Sequence, residues 1–316
     1  MKKIVYSIIV PIYNDGNLAE KFCVEFETVF RKYLGKKDIE KKVELIFVND
    51  GSVNNSWQEL TALLKIFKFV KLINLSRNFG QHIALSAGYK YASGNYVGML
   101  NVDMQEHPDQ IPIAIEYLVN NDCDIVTAIR TKRNDSRLSI ISSYLFNFFL
   151  NKFTGYSQPL NVGTLRIMNR IFINAYNELS EKSRYLPGLE NWLGFKHGYI
   201  DVVHNKRSEG KSSYNFRKRV ALAVNSIISF SDIPLKFFIL IGMIISVIGF
   251  LSIIILIVNK FIFPGRLPGY TSTMSVLLFL SGIQIIISGV LGLYIGKILK
   301  EVQNRPLYII KEIQRF

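Results

Sequence analysis

Four short polar clusters carry the chemistry in this sequence: Pro11-Ile12-Tyr13-Asn14-Asp15, Asn49-Asp50-Gly51-Ser52, Ser76-Arg77-Asn78-Phe79-Gly80-Gln81 and Asn101-Val102-Asp103-Met104-Gln105. Each alone is ordinary turn chemistry, because Asn, Asp, Gly and Ser are the residues turns use. Turn chemistry does not explain why all four clusters occur in succession with carboxylates, a guanidinium and an aromatic ring. Carboxylate and amide oxygens suit a hard divalent cation, and a guanidinium suits a phosphate. Metal sites of another kind are not expected. His82, His107, His197 and His204 lack ligand spacing, and Cys23 and Cys123 are too few and too far apart for a cluster or a disulfide framework.

Each cluster follows a run rich in Val and Ile. Strand-like stretches at Ile4–Val10, Val43–Val48, Val70–Leu75, Tyr96–Leu100 and Asp124–Ala128 alternate with helical patterns near Leu18–Tyr33, Ser56–Phe67, His82–Ala92 and Pro108–Val119. This β-α-β alternation predicts an α/β fold with a mainly parallel sheet. Such sheets bind ligands at the carboxyl ends of their strands, where the four clusters fall.

The chain has 316 residues and 49% hydrophobic content, unevenly spread. Phe237–Val258 and Leu267–Gly296 are free of charge except for the stretches' flanks, and each is long enough to cross a ~30 Å hydrocarbon layer. Two transmembrane helices are expected; the alternative is helices buried in a large soluble core. Lys and Arg gather before the first stretch (Arg217, Lys218, Arg219, Lys236) and after the second (Lys297, Lys300, Arg305, Lys311, Arg315), while the connection offers Lys260 and Arg266. The positive-inside rule then puts both termini in the cytoplasm. Met1-Lys2-Lys3 runs directly into a strand, so no leader is expected. The net charge of +14 favours lipid headgroups and phosphates over nucleic acid, for which no recognition motif is present. Leu138–Phe153 reads as an amphipathic helix on a membrane surface or as a core helix, and Phe216–Ser231 as a second amphipathic helix leading into the first span.

The segments SIIVPIYND, FVNDGS, LSRNFGQHIALSAG, NVDMQEHP and YIGKILKEVQNRPLYII together resemble glycosyltransferase family 2, in its bacterial undecaprenyl-phosphate branch, with dolichol-phosphate mannose synthase as a relative. The resemblance implies a GT-A fold over residues 1–215, a juxtamembrane helix at 216–232, a two-helix membrane region at 233–298 and a basic cytoplasmic tail at 299–316. It implies a nucleotide-diphosphate sugar donor, UDP-linked, a polyisoprenyl phosphate acceptor, and Mg or Mn. By motif, Pro11, Tyr13, Asp15, Asp50, Gly51, Arg77, Gln81, Asn101 and Asp103 would bind the donor, with the metal at Asp103, Asn101 and Gln105. Arg130, Arg166 and Arg207 would neutralise the acceptor phosphate and, with Asp103, form the catalytic set; Lys211 would assist on the acceptor side.

Three positions depart from the family pattern: Asn49 and Asn101 where acids are usual, and Thr164 at an acidic or amide position. An acceptor phosphate monoester with a second pKa near ~6 is already an anionic nucleophile and needs no general base. The losses also admit a different class of function, a weakened homologue that binds nucleotide or lipid phosphate as a scaffold. Gly292 and Gly296, four apart, predict close helix approach and a homo-oligomer, a tetramer by resemblance.

Overall fold

A computed structural model describes residues 4–35, 38–130, 159, 162–182, 184–202, 233–262 and 269–315. The chain divides into two compact units, Met1–Arg219 with Pro306–Phe316, and Val220–Arg305.

The first unit is built on one eight-stranded sheet. Its strands are β1 (Tyr6–Ile12), β2 (Val43–Asn49), β3 (Val70–Leu75), β4 (Tyr96–Met99), β5 (Ile125–Arg130), β6 (Val162–Asn169), β7 (His197–Val202) and β8 (Ile310–Arg315). They lie in the order β7-β5-β6-β4-β1-β2-β3-β8. The central β4-β1-β2-β3 block is parallel, as is the β5–β7 pair, while β6 and β8 run antiparallel to their neighbours. β2 is buried at every position because a parallel strand is covered on both faces, hence its unbroken apolar run. Helix α1 (Ala19–Leu34) covers one face with Phe22, Phe26 and Phe30, each a turn from the next. The shorter helices α2 (Ile39–Lys42) and α3 (Ser56–Leu63) follow, then α4 (Gln81–Tyr91) and α5 (Gln110–Asn120). Helix α6 (Arg170–Glu178) is capped by Asn169, whose Oδ1 accepts the Phe172 N–H at 2.8 Å; α7 (Leu186–Trp192) precedes β7. Cys23 and Cys123 are buried free thiols.

The expected strands and helices up to residue 130 are present, with boundary shifts. β1 extends two residues further than its apolar run, so Pro11 lies in the strand opposite Val48. The order reverses at β1, whose neighbours β2 and β4 receive the chain on opposite sides. In open α/β sheets such a reversal is where a ligand crevice forms, here at the carboxyl ends of β1 and β4, where the first and fourth clusters sit. The basic tail at 299–316 contributes a sheet strand: β8 pairs with β3, Ile313 opposite Ile73.

The second unit holds two long helices, α8 (Ile233–Ile262, 30 residues) and α9 (Tyr270–Val302, 33 residues). Both expose large apolar side chains, among them Phe250, Phe279 and Ile285. Of two expected spans, one is met among the described residues: Phe279–Val302 is long and apolar enough to cross a membrane. The apolar stretch described in α8, Phe238–Leu251, is too short by itself. The expected helices at 138–153 and 216–231 lie outside the described residues.

Candidate active site

The four loops are bonded to one another. After β1, Asn14 turns into the left-handed region (φ 64°), its N–H donates to Ser52 Oγ at 2.9 Å and its Oδ1 accepts the Val53 N–H at 3.0 Å. The Gly16 N–H donates to Ser56 Oγ at 2.9 Å. These bonds fasten the first loop to the second and leave Tyr13, 45% exposed, and Asp15 at the surface of the crevice.

Asn49 shows why an amide replaces the usual acid. Its Nδ2 donates to Asn74 Oδ1 at 2.9 Å while its Oδ1 accepts from Ser52 Oγ at 2.6 Å. A carboxylate could accept from Ser52 but could not donate to Asn74. The next residue, Asp50, accepts the Phe79 and Gly80 N–H groups at 2.8 and 2.9 Å, one on each oxygen. Burial raises its pKa, against the lowering effect of those two amides and of Arg77. Each oxygen keeps a second lone pair for a ligand donor. Gly51 (φ 63°) is required: a Cβ there would lie 2.2 Å from the Arg77 carbonyl carbon. Arg77 is exposed, its guanidinium 4.1 Å over the Phe79 ring.

The third loop reaches the fourth through Gln81, whose Nε2 donates to Asn101 Oδ1 at 3.0 Å. Asp103 is 7% exposed and its Oδ1 accepts the Gln105 N–H at 3.3 Å. Among the described residues no group of three His, Cys, Asp or Glu could hold a metal. The residues expected to hold the cation bring one carboxylate, Asp103, and the amide carbonyls of Asn101 and Gln105. They fit a hard cation by type, with too few charges to hold it tightly without a ligand's own oxygens.

Arg130 and Arg166 are already paired. Arg166 is 6% exposed and its Nε donates to Glu190 Oε2 at 2.8 Å, while Nη1 donates to Thr164 O at 3.1 Å. Burial, the largest effect, opposes its charge, and Glu190, Tyr89 and Glu106 together outweigh burial to hold the guanidinium ionised. Arg130 Nε lies 3.3 Å from Glu106 Oε1 and stays partly exposed. Arg207 and Lys211 lie outside the described residues.

Glu106 is the residue that sequence reasoning missed. It is 2% exposed and accepts from Thr164 N–H at 2.9 Å, Thr164 Oγ1 at 2.8 Å and Leu165 N–H at 2.5 Å. Thr164 therefore donates where an acid would meet Glu106 as a like charge. Gly163 is fixed by the same contact, since a Cβ there would sit 2.5 Å from Glu106 Oε1. The available signal was an acid directly after Asp103-Met104-Gln105. His82 and His197 are also held close: burial, then Arg166, pushes each down to about 4, so both are neutral at pH 7. His197 Nε2 meets Thr127 Oγ1 at 2.7 Å.

The profile of glycosyl transferase family 2 matches residues 7–176, the span of these loops. The chain belongs to that family. A second profile, the GtrB C-terminal hairpin, matches residues 233–298. The chain is 36% identical over 310 residues to a SfII prophage-derived bactoprenol glucosyl transferase of Shigella flexneri, covering 98% of both chains. It is 34% identical over 312 residues to the uncharacterized glycosyltransferase YkcC of Bacillus subtilis (98% of this chain, 94% of the other). It is 33% identical over 309 residues to the uncharacterized glycosyltransferase sll0501 of Synechocystis (97% and 95%).

Proposed function

We propose that this enzyme transfers a sugar from a nucleoside diphosphate, UDP by resemblance, to polyisoprenyl phosphate at the cytoplasmic face of a membrane, with inversion. The observation that carries the proposal is full-length similarity, through loops and hairpin alike, to a transferase named for a bactoprenol acceptor.

In this proposal the donor lies in the crevice at β1 and β4. Tyr13, Asp15 and Asp50 face the nucleoside, with Pro11 and Gly51 shaping the backbone around it, and Arg77 and Gln81 lie towards the diphosphate. Asp103, Asn101 and Gln105 would hold Mg or Mn, which when bound stabilises charge on the leaving diphosphate. An oxygen of the lipid phosphate attacks the anomeric carbon from the opposite side. The bond from that carbon to the diphosphate oxygen breaks, and the nucleoside diphosphate leaves with the electron pair. No proton has to be removed from the nucleophile, which is why Thr164 can stand where an acid is usual. Arg166, neutralised by Glu190, and Arg130, beside Glu106, act here by shaping the 163–166 backbone and adding field, while Arg207 and Lys211 supply the acceptor-side cations.

A cytoplasmic two-span anchor is supported by the path of the chain. It leaves the sheet unit after β7 and re-enters that sheet as β8. Two segments of one sheet lie on one side of any membrane, so the chain between β7 and β8 would cross an even number of times. The lengths of α8 and α9, ~45 and ~50 Å at ~1.5 Å per residue, suffice for two crossings. Gly292 and Gly296 would bring copies together in a homo-oligomer.

Purified protein given undecaprenyl phosphate and radiolabelled UDP-sugars should form a labelled lipid that requires Asp103. Absence of any labelled lipid across a broad donor panel, with nucleotide binding intact, would count for the scaffold alternative.

A further inference from the structure

The sheet unit contains a second concavity, of about 320 Å³, apart from the four loops. It lies against α4, α6 and residues 306–308, and none of the proposed donor or metal residues lines it. Its charged lining residues are all basic: Lys90, Lys182 and Arg184. Ser86, Tyr176 and Tyr308 add hydroxyl groups, and Glu181, close in sequence, is not part of the wall.

Arg184 is incompletely used by the protein. Nη2 donates to Leu179 O, and the guanidinium carbon lies 5.3 Å from the centre of the Tyr176 ring. Among the described residues, Nε and Nη1 are buried without a hydrogen-bond partner, as is Oε2 of Glu181. With those two nitrogens enclosed, Nη2 is the part of the guanidinium that a ligand in the concavity can meet, and an anion there would offset the cost of burying the charge. Tyr176 is held in place by its 2.9 Å bond to Ser86 Oγ, so the platform under Arg184 is fixed. The volume is at the small end of ligand sites, the size of a headgroup.

We infer that this pocket binds a phosphate-bearing anion, with Arg184 as its anchor and Lys90 and Lys182 completing the charge. Two sources share that chemistry, the headgroup of an anionic phospholipid and a soluble phosphate. The lipid is favoured because the wall residue Pro306 follows the end of α9, Val302, by four residues in sequence, so a membrane-anchored chain presents this segment near a headgroup layer. The site is separate from the acceptor cations proposed above.

The test uses the full-length chain. In nanodiscs of phosphatidylcholine with and without phosphatidylglycerol, native mass spectrometry counts retained phosphatidylglycerol. Calorimetry in uncharged detergent measures inorganic phosphate. Loss of a charge-assisted contact predicts at least about a tenfold loss of binding in Arg184→Gln, with UDP affinity unchanged. Should Arg184→Gln fail to fold, Lys90→Gln with Lys182→Gln, which leaves the guanidinium packing intact, must give a loss of the same sign. Selective retention of phosphatidylglycerol that these variants lose supports the lipid source. Phosphate binding lost in the variants without phosphatidylglycerol preference supports the anion site and assigns the soluble source. Binding of neither probe, or binding equal in wild type and variants, overturns the inference. UDP titration on the same samples reports the donor crevice separately, so failure here and failure of the proposed function are distinguishable.

Discussion

Replacing Glu106 by Gln removes one charge and almost no volume, and its effect can be worked out from the bonds. The amide oxygen can keep the place of Oε2, where Thr164 N–H, Thr164 Oγ1 and Leu165 N–H converge at 2.9, 2.8 and 2.5 Å. Those three bonds then go to a neutral acceptor, and each loses about 1 kcal/mol on passing from a charged to an uncharged partner. The new NH2 takes the place of Oε1 and faces Arg130 Nε, which lay 3.3 Å away, and the Thr164 N–H, which Oε1 shared with Oε2 at 2.9 Å. Arg130 is part-exposed, so water takes over much of that loss and it adds less than about 1 kcal/mol. The total is about 3–4 kcal/mol, which for a domain of this size lowers the unfolding midpoint by roughly 6–16 °C. Differential scanning of the purified protein reads that shift. A double-mutant cycle with Thr164→Val should recover about 1 kcal/mol as coupling. Because the Glu106 side chain bonds residues 164 and 165 and Arg130, and its given bonds include none to the first three clusters, turnover should fall while UDP affinity stays at the wild-type value. A Glu106→Gln protein that melts within about 2 °C of wild type, with normal turnover, would refute the assignment of Glu106 as the clamp of this segment.

Gly51→Ala places a methyl against the Arg77 backbone at a positive φ, and should cost about 2–4 kcal/mol and abolish UDP binding by calorimetry. His82 has a folded pKa depressed to about 4 from 6.5. Its stabilising contribution is therefore present above pH 6.5 and is lost as pH falls from 6.5 to 4, because only the unfolded state takes up the proton; the loss is on the order of 3 kcal/mol. His82→Gln should flatten the stability-versus-pH curve in that window, and an unchanged slope would count against it. Asn101→Asp keeps an acceptor for Gln81 and adds a charge beside Asp103. It should tighten UDP binding in the presence of Mn by about tenfold or more without changing metal-free binding, as read by calorimetry.

The parallel half of the fold was legible because its signal is local. β2, buried at all seven positions, writes a continuous apolar run, and α1 repeats Phe at every fourth position. The strands that were missed write weaker patterns. β8, at the sheet edge, alternates half-buried and exposed residues, and its Ile, Glu and Arg read equally well as a basic tail. Its place follows from a pairing with β3 across more than two hundred residues, which no local pattern announces. The same distance hid the partners of the arginines. Arg130 and Arg166 look like free cations in sequence, and only the packing of β5 and β6 against Glu106, and of β6 against α7, brings the neutralising acids to them. Part of the candidate site was legible for the opposite reason: Asp50, Gly51, Arg77, Gln81 and Asp103 lie within a few residues of strand ends, so locating the strands located them.

Two of the three departures from the family pattern have a structural cause that does not require loss of activity. Asn49 is a donor as well as an acceptor, a task an acid at that position could not perform between Asn74 and Ser52. Thr164 offers a hydroxyl proton to a carboxylate, Glu106, already buried beneath it. An acid at 164 would bring two carboxylates into contact in a site with little water, where one of them would have to take up a proton. The sequence at 164 and the acid at 106 therefore form one choice rather than a loss. Only Asn101 remains a change in the chemistry offered to a cation, and it leaves Asp103 as the one charge on which a metal-bridged diphosphate would depend.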